Sequence, residues 1–421
     1  MRVKPGRVVL YAFLAALLVG AITAVSVVVG TITQTRWAQE QLAPFYTPPD
    51  LLPGPPGTVI RTEPLVVPQL GTTVDVEGGT AYRMLYVTDR PDGTPLVSGA
   101  MYFVPDTPAP PEGRPVVAWA HGTVGMGDSC APSRSAKPIS QLTAFLPQML
   151  ERGWVVVATD YAGLGTPGPQ QYLVGQSEAR DVVNSVRAVR SIPGVNAGSR
   201  YVVMGHSQGG HSSLWTGMLS SDLAPDLRLD GVLALAPAAE LRPIVGVQWN
   251  QAAGWAIGPS ATVGWTSFDP SLPLDGTLTQ AGLENYLRLA DECIMLSALE
   301  GIARSDLGRT FFAVDPDDVP AWSSLIADQT PTPLPADLPV WLAQGTADDV
   351  VLPWPNAILQ ESWCAAGSTI TALWLEGVGH LQMPFAAGPD AVPWIADRFA
   401  GLPAPSSCDV PPPVPPSPPS P

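Results

Sequence analysis

Cationic side chains are scarce in this chain: 21 Lys and Arg stand against 37 Asp and Glu among 421 residues, a formal charge of −16. Such a chain is repelled by phosphate backbones and anionic headgroups, which argues against nucleic acid as its partner. Cysteine is rare too, and Cys130, Cys293, Cys364 and Cys408 show no C-x-x-C spacing. That pattern speaks against a metal site and for two disulfides in an exported protein, with three pairings open from spacing alone. Histidine occurs only at His121, His206, His211 and His380, so any imidazole chemistry must draw on these four.

One long apolar run is present. Arg2, Lys4 and Arg7 precede an almost unbroken apolar stretch from Val8 to Gly30. A basic flank before about 20 apolar residues suits an uncleaved membrane anchor, and a signal peptide closing at Ala21-Ile22-Thr23-Ala24 is the alternative. Both place the rest of the chain outside the cytoplasm. Residues 1–33 are therefore read as signal or anchor and 34–57 as a proline-rich linker, extended from Pro44 to Gly57. Residues 58–408 form the main domain. The tail 409–421 is again proline-rich and is expected to be disordered or in polyproline II.

Within the main domain, strand and helix patterns alternate, as in a mostly parallel sheet flanked by helices. Ala81–Val87 and Pro95–Val104 read as an antiparallel pair around the turn Pro91-Asp92-Gly93. Continuous apolar runs at Pro115–Ala120, Trp154–Ala158, Tyr201–Met204, Gly231–Ala236, Pro339–Gln344 and Ile370–Leu375 predict buried strands. Asp181–Arg190 returns apolar residues at helical spacing, and Ala391–Ala400 reads as a closing helix. This order fits an α/β-hydrolase fold. The stretch from about 237 to 335 breaks the rhythm and is too long for a loop, so it is expected to be an inserted, mainly helical cap, with one helical stretch from Leu278 to Arg304. Its Trp249, Trp255, Trp265 and Phe268 would either wall an apolar acyl site or form the cap's own core.

The chain is organised around Gly205-His206-Ser207-Gln208-Gly209, a G-x-S-x-G match between a β-branched strand and a helix. In that context the turn forces the serine backbone into strain and exposes its hydroxyl at the carboxyl edge of the sheet. A serine needs a base to accept its proton, and the base needs an acid to fix its tautomer. His121 precedes the serine, His206 is adjacent to it and His211 lies on its helix, which leaves His380, in Glu376-Gly377-Val378-Gly379-His380 after the last strand. The acid is expected in Gly345-Thr346-Ala347-Asp348-Asp349-Val350-Val351, at Asp348, with Asp349 as the fallback. For the developing oxyanion, the Gln208 N–H and an N–H of Gly122 or Thr123, after strand Pro115–Ala120, are the expected donors. His121 is expected to orient that loop.

Taken together, Phe45-Tyr46-x-Pro48-Pro49, Pro56-Gly57-Thr58-Val59-Ile60-Arg61, Ala118-Trp119-Ala120-His121-Gly122-Thr123, Cys130-Ala131-Pro132-Ser133, Asp160-Tyr161-x-Gly163-Leu164-Gly165, Gly205 to Gly210 and Gly379-His380 resemble the secretory lipase family, the lipase-A-like α/β-hydrolases. The resemblance covers about residues 40 to 408. It implies hydrolysis of carboxylic esters, of lipids or of small acyl esters, outside the cytoplasm and without metal or organic cofactor. It assigns nucleophile, acid and base to Ser207, Asp348 and His380. It also implies the pairs Cys130–Cys293, pinning the cap, and Cys364–Cys408, tying down the terminal region. The apolar amino-terminal run and the proline-rich tail depart from the family pattern. Peptidase or acyltransferase activity on the same scaffold, and a non-catalytic envelope-binding module, are the alternatives.

Overall fold

The computed structural model describes residues 37–135 and 137–418. The apolar run from Val8 to Gly30 lies outside them, and among the described residues no helix is long and apolar enough to cross a membrane. The centre is a ten-stranded sheet. Across it run Val59–Pro64, Gly79–Asp89, Pro95–Pro105, Val155–Thr159, Arg114–Ala120, Ala197–His206, Arg228–Leu235, Val340–Gly345 and Ile370–Leu375, with Asp75–Val76 beside Gly79–Asp89. The first three and Val155–Thr159 pair antiparallel; from Val155–Thr159 onward every pairing is parallel. The parallel strands are the continuous Val- and Leu-rich runs, because helices cover both of their faces.

On one face, Gly175–Ser191 and Gln208–Leu223 bury Val182, Val186, Val189 and Leu214 against Val157, Val203 and Val232. On the other, Leu146–Glu151 and Met383–Phe399 bury Met149, Ala387, Val392 and Ile395 against Val156, Met204 and Trp341. The closing helix thus starts at Met383, eight residues before the apolar pattern suggested. Pro384 in its first turn and Pro389 just before the expected start hide its first turns from a pattern reading.

Between Arg228–Leu235 and Val340–Gly345 the chain forms a helical insert: Leu241–Gln248, Ala252–Ala256, Gly258–Phe268, Gln280–Asp291, Ile294–Asp306 and Pro320–Asp328. The single helical stretch expected over Leu278–Arg304 is two helices. The chain turns at Glu292-Cys293, both extended, and Arg288 and Arg304 share Glu300 across the turn. The insert has an aromatic core of its own around Trp255, Phe311, Phe312 and Trp322.

Two disulfides are present, Cys130–Cys293 and Cys364–Cys408. The first joins the loop after Arg114–Ala120 to the insert, where Ile294 N–H donates to Val124 O at 2.8 Å and Met126 N–H to Ala290 O at 2.8 Å. The second ties helix Pro353–Ala365 to the tail. Beyond it, Gln360 donates to Val410 O at 3.0 Å, so the proline-rich tail starts from an anchored residue.

The linker expectation is corrected at its start. Residues 37–46 are helical and bury Leu42, Phe45 and Tyr46 against Leu85 and Val97. The flanking prolines masked a short amphipathic face. Tyr46 OH lies 2.7 Å from Ser133 Oγ, and Ser133 donates its N–H to Asp160 Oδ1 at 3.0 Å and its hydroxyl to Oδ2. Burial pushes the Asp160 carboxyl up to about 6, against the pull of the Ser133 hydrogen bonds and of Arg134 and Arg83.

Two predictions follow from these ties. In a chain-entropy model the 163-residue separation of Cys130 and Cys293 is worth about 5 kcal/mol and the 44-residue separation of Cys364 and Cys408 about 4 kcal/mol. Cys293→Ser should therefore lower the urea midpoint more than Cys408→Ser. Asp160 holds a proton in the native state between about pH 4 and 6 that the unfolded chain has released, so its contribution to stability falls as pH rises through that window and is fully lost above it. Relative to the wild type, Asp160→Asn should gain stability on going from pH 4.5 to 7.5, by about 2 kcal/mol; a constant difference in melting temperature across that range would refute this.

Candidate active site

Strand Ala197–His206 ends at His206 and helix Gln208–Leu223 begins one residue later, so Ser207 makes the whole turn. Its φ of 59° and ψ of −118° are a conformation that side chains rarely adopt. The flanking glycines permit it. A methyl group on Gly205 would stand 2.1 Å from Gly209 O, and one on Gly209 would stand 1.9 Å from Ala120 O. The turn is held by Ser207 N–H donating to Leu235 O at 2.9 Å and by Ala238 N–H donating to Ser207 O at 3.2 Å.

His380 follows strand Ile370–Leu375 on the glycine-bearing loop, and Asp348 follows strand Val340–Gly345. Both reach over the carboxyl edge of the sheet. His380 Nε2 lies 2.9 Å from Ser207 Oγ, and His380 Nδ1 lies 2.8 Å from Asp348 Oδ2. All three side chains are buried. Asp348 Oδ1 accepts from the N–H groups of Val350 at 3.0 Å and Val351 at 2.9 Å, and Oδ2 accepts from Gln344 Nε2 at 3.4 Å. Gln344 is itself fixed by Asn356, which donates to its Oε1 at 2.6 Å. Asp349 is exposed to solvent, so the geometry separates the two adjacent carboxylates that the spacing left side by side.

Gln208 opens its helix, where first-turn N–H groups have no intrahelical acceptor. Its side chain turns away and donates to the buried Glu178 Oε1 at 2.7 Å; Glu178 also accepts from Leu173 N–H at 3.0 Å. Gly122 packs against the turn, since a methyl group there would lie 3.4 Å from Ser207 Cβ. Thr123 lines the same cavity as Ser207 and pairs its hydroxyl with Tyr172 OH at 2.7 Å.

The other histidines lie off the Asp348–His380–Ser207 row. His121 Nδ1 is 2.7 Å from Gly122 O and Nε2 is 3.2 Å from Asp160 O; burial holds its pKa below the ordinary value although both carbonyls favour the cation. His211 lies in the first turn of helix Gln208–Leu223, its Nε2 2.8 Å from Gln329 O. His206 packs its ring on His380, 4.6 Å between centroids. Tyr172, Glu178, Gln344 and Asn356 were not legible as site residues. Each sits in an ordinary helix, strand or loop pattern and acquires its place only through packing.

Ser207 faces a cavity of about 110 Å³ roofed by the insert. Its walls are apolar, with Leu241, Ile257, Trp265, Phe312 and Trp322 among them, and none of its lining residues is charged. The four aromatic residues weighed earlier divide: Trp249 and Trp265 line the cavity, whereas Trp255 is sealed in the insert's core and Phe268 packs beside that core. Gln248, a polar residue of this wall, donates to Val350 O at 2.7 Å.

Solved structures of known enzymes share this architecture. Lipase A of Candida antarctica in its closed state superposes with a TM-score of 0.71 at 17% identity, over 88% of this chain and 89% of that one. The G231F mutant of the rice cell wall degrading esterase LipA of Xanthomonas oryzae gives 0.69 at 17% identity, over 82% and 100%. In sequence, a Mycobacterium tuberculosis protein named a probable inactive lipase is 25% identical over 86% of this chain and 82% of its own length. Lipase 5 of Candida albicans is 25% identical over 66% of this chain and 64% of its own. The family model described as secretory lipase matches residues 136–407, and by that match, on an α/β-hydrolase fold, the chain belongs to the secretory lipase family.

Proposed function

We propose that this chain is an exported serine hydrolase that cleaves carboxylic esters of lipids or other acyl esters. The observation that carries the proposal is the continuous row Asp348–His380–Ser207, at 2.8 and 2.9 Å, opening into an uncharged apolar cavity. In this reading His380 takes the Ser207 proton as the hydroxyl attacks the ester carbonyl, and Asp348 fixes the imidazole tautomer and stabilises its cation. N–H groups of Gln208 and of Gly122 or Thr123 hold the oxyanion. His380 then protonates the leaving alcohol and activates water to release the acid.

The uncharged lining argues against a peptidase that must grip a charged peptide terminus. The name of the Mycobacterium tuberculosis relative favours a second reading, a hydrolase scaffold without turnover. Against it stands the strained serine turn, which costs stability and is explained by a nucleophile presented to the cavity. Export is supported by the family's secretory character and by the two disulfides.

Initial rates on p-nitrophenyl esters test the assignment. Ser207→Ala should lower turnover by roughly 10³-fold or more and Asp348→Asn by on the order of 10⁴-fold, while Asp349→Asn stays near wild type. Equal losses at Asp348 and Asp349, or activity retained in Ser207→Ala, would remove the corresponding residue from its role. Lengthening the acyl chain from acetyl should raise the serine-dependent specificity constant, because each buried methylene contributes about 0.8 kcal/mol in an apolar cavity. A steady fall from acetate onward would show that the acyl group lies elsewhere.

A further inference from the structure

His206 stands just before Ser207, at the first x of G-x-S-x-G, and nothing in the chemistry above uses it. It is 3% exposed. Its Nε2 lies 3.1 Å from the main-chain oxygen of His380. A carbonyl can only accept, so Nε2 carries the proton and Nδ1 is a bare lone pair. That lone pair is buried without a hydrogen-bond partner and faces the turn at Gly122, where a methyl group would lie 3.2 Å from it. The ring is thus wedged between the loop that carries His380 and the loop expected to hold the oxyanion. Burial first, and the charge of His380 second, push the His206 pKa well below its ordinary value, so the ring remains a neutral donor when its neighbour becomes a cation.

The loop that His206 grips needs a tie. His380 follows Gly377, at a φ of 71°, and Gly379, so the chain leading to it is unusually free to rotate. Upstream, Gly377 N–H donates to Thr346 Oγ1 at 3.0 Å and Ala347 N–H donates to Val378 O at 3.2 Å. The His206 bond reaches the residue that faces Ser207. We propose that His206 is a positioning residue, whose Nε2–H fixes the His380 main chain and thereby holds the imidazole in line with Ser207. The proposal rests on the serine-hydrolase reading of the site.

A pair of variants isolates the donor. In His206→Gln the amide nitrogen falls near the position of Nε2 and keeps the bond; in His206→Asn it falls near Nδ1 and loses it. Turnover of a p-nitrophenyl ester should stay within about 3-fold of wild type in His206→Gln and drop about 10-fold in His206→Asn, with KM unchanged in both. The rate of Ser207 labelling by a fluorophosphonate, which needs no bound acyl substrate, should fall in parallel. Equal turnover and labelling in the two variants, or a loss that appears in KM alone, would overturn the proposal. Should His206→Asn not fold by circular dichroism, His206→Phe, which keeps a ring and has no donor, takes its place with the same expected loss. A wild type that shows neither Ser207-dependent hydrolysis nor labelling would instead sink the underlying reading.

Discussion

Among the described glycines, the tightest approach is that of helix Gln208–Leu223 to strand Arg114–Ala120. Gly209 leaves no room for even a methyl group before Ala120 O, and Gly205 leaves none before Gly209 O. From that contact the rest follows in order. The chain can leave the strand and enter the helix only through one residue, that residue must take a positive φ, and its side chain must then stand at the carboxyl edge of the sheet. Strands that end beside it deliver His380 and Asp348 to the same place. The parallel order of the sheet is therefore what converts three distant stretches of sequence into one row of hydrogen bonds.

Around that row Asp348, Gln344 and Gln208 are buried, and each has a support. Asp348 rests on two backbone N–H groups and on Gln344, Gln344 rests on Asn356, and Gln208 is turned aside by Glu178. A buried carboxylate with several donors holds its position through many small contributions, so that no single support has to be strong.

Much of this was written in the sequence. The motif at Gly205–Gly209 has a shape that strand, turn and helix satisfy, and the scarcity of histidine pointed to His380, the imidazole that lies 2.9 Å from Ser207 Oγ. The sheet was readable because buried parallel strands are unbroken apolar runs. What could not be read depends on distant partners or on residues that conceal a pattern. Prolines hid the helix at 37–46 and the first turns of Met383–Phe399, and the turn at Glu292-Cys293 carries no glycine or proline to announce it. Glu178 and His206 look like any residue of their elements until the chain folds over them. The choice between Asp348 and Asp349 likewise depends on which of two neighbours points inward, and one residue of register decides it.

The bond from Gln248 to Val350 O has a mechanical meaning. The loop after Asp348 presents its amides inward to the carboxylate and a carbonyl outward to the insert. The ceiling of the cavity and the anchorage of the carboxylate consequently share one short strip of backbone. A load on the ceiling from inside the cavity is therefore borne by the same peptide planes that hold the Asp348 carboxylate in place.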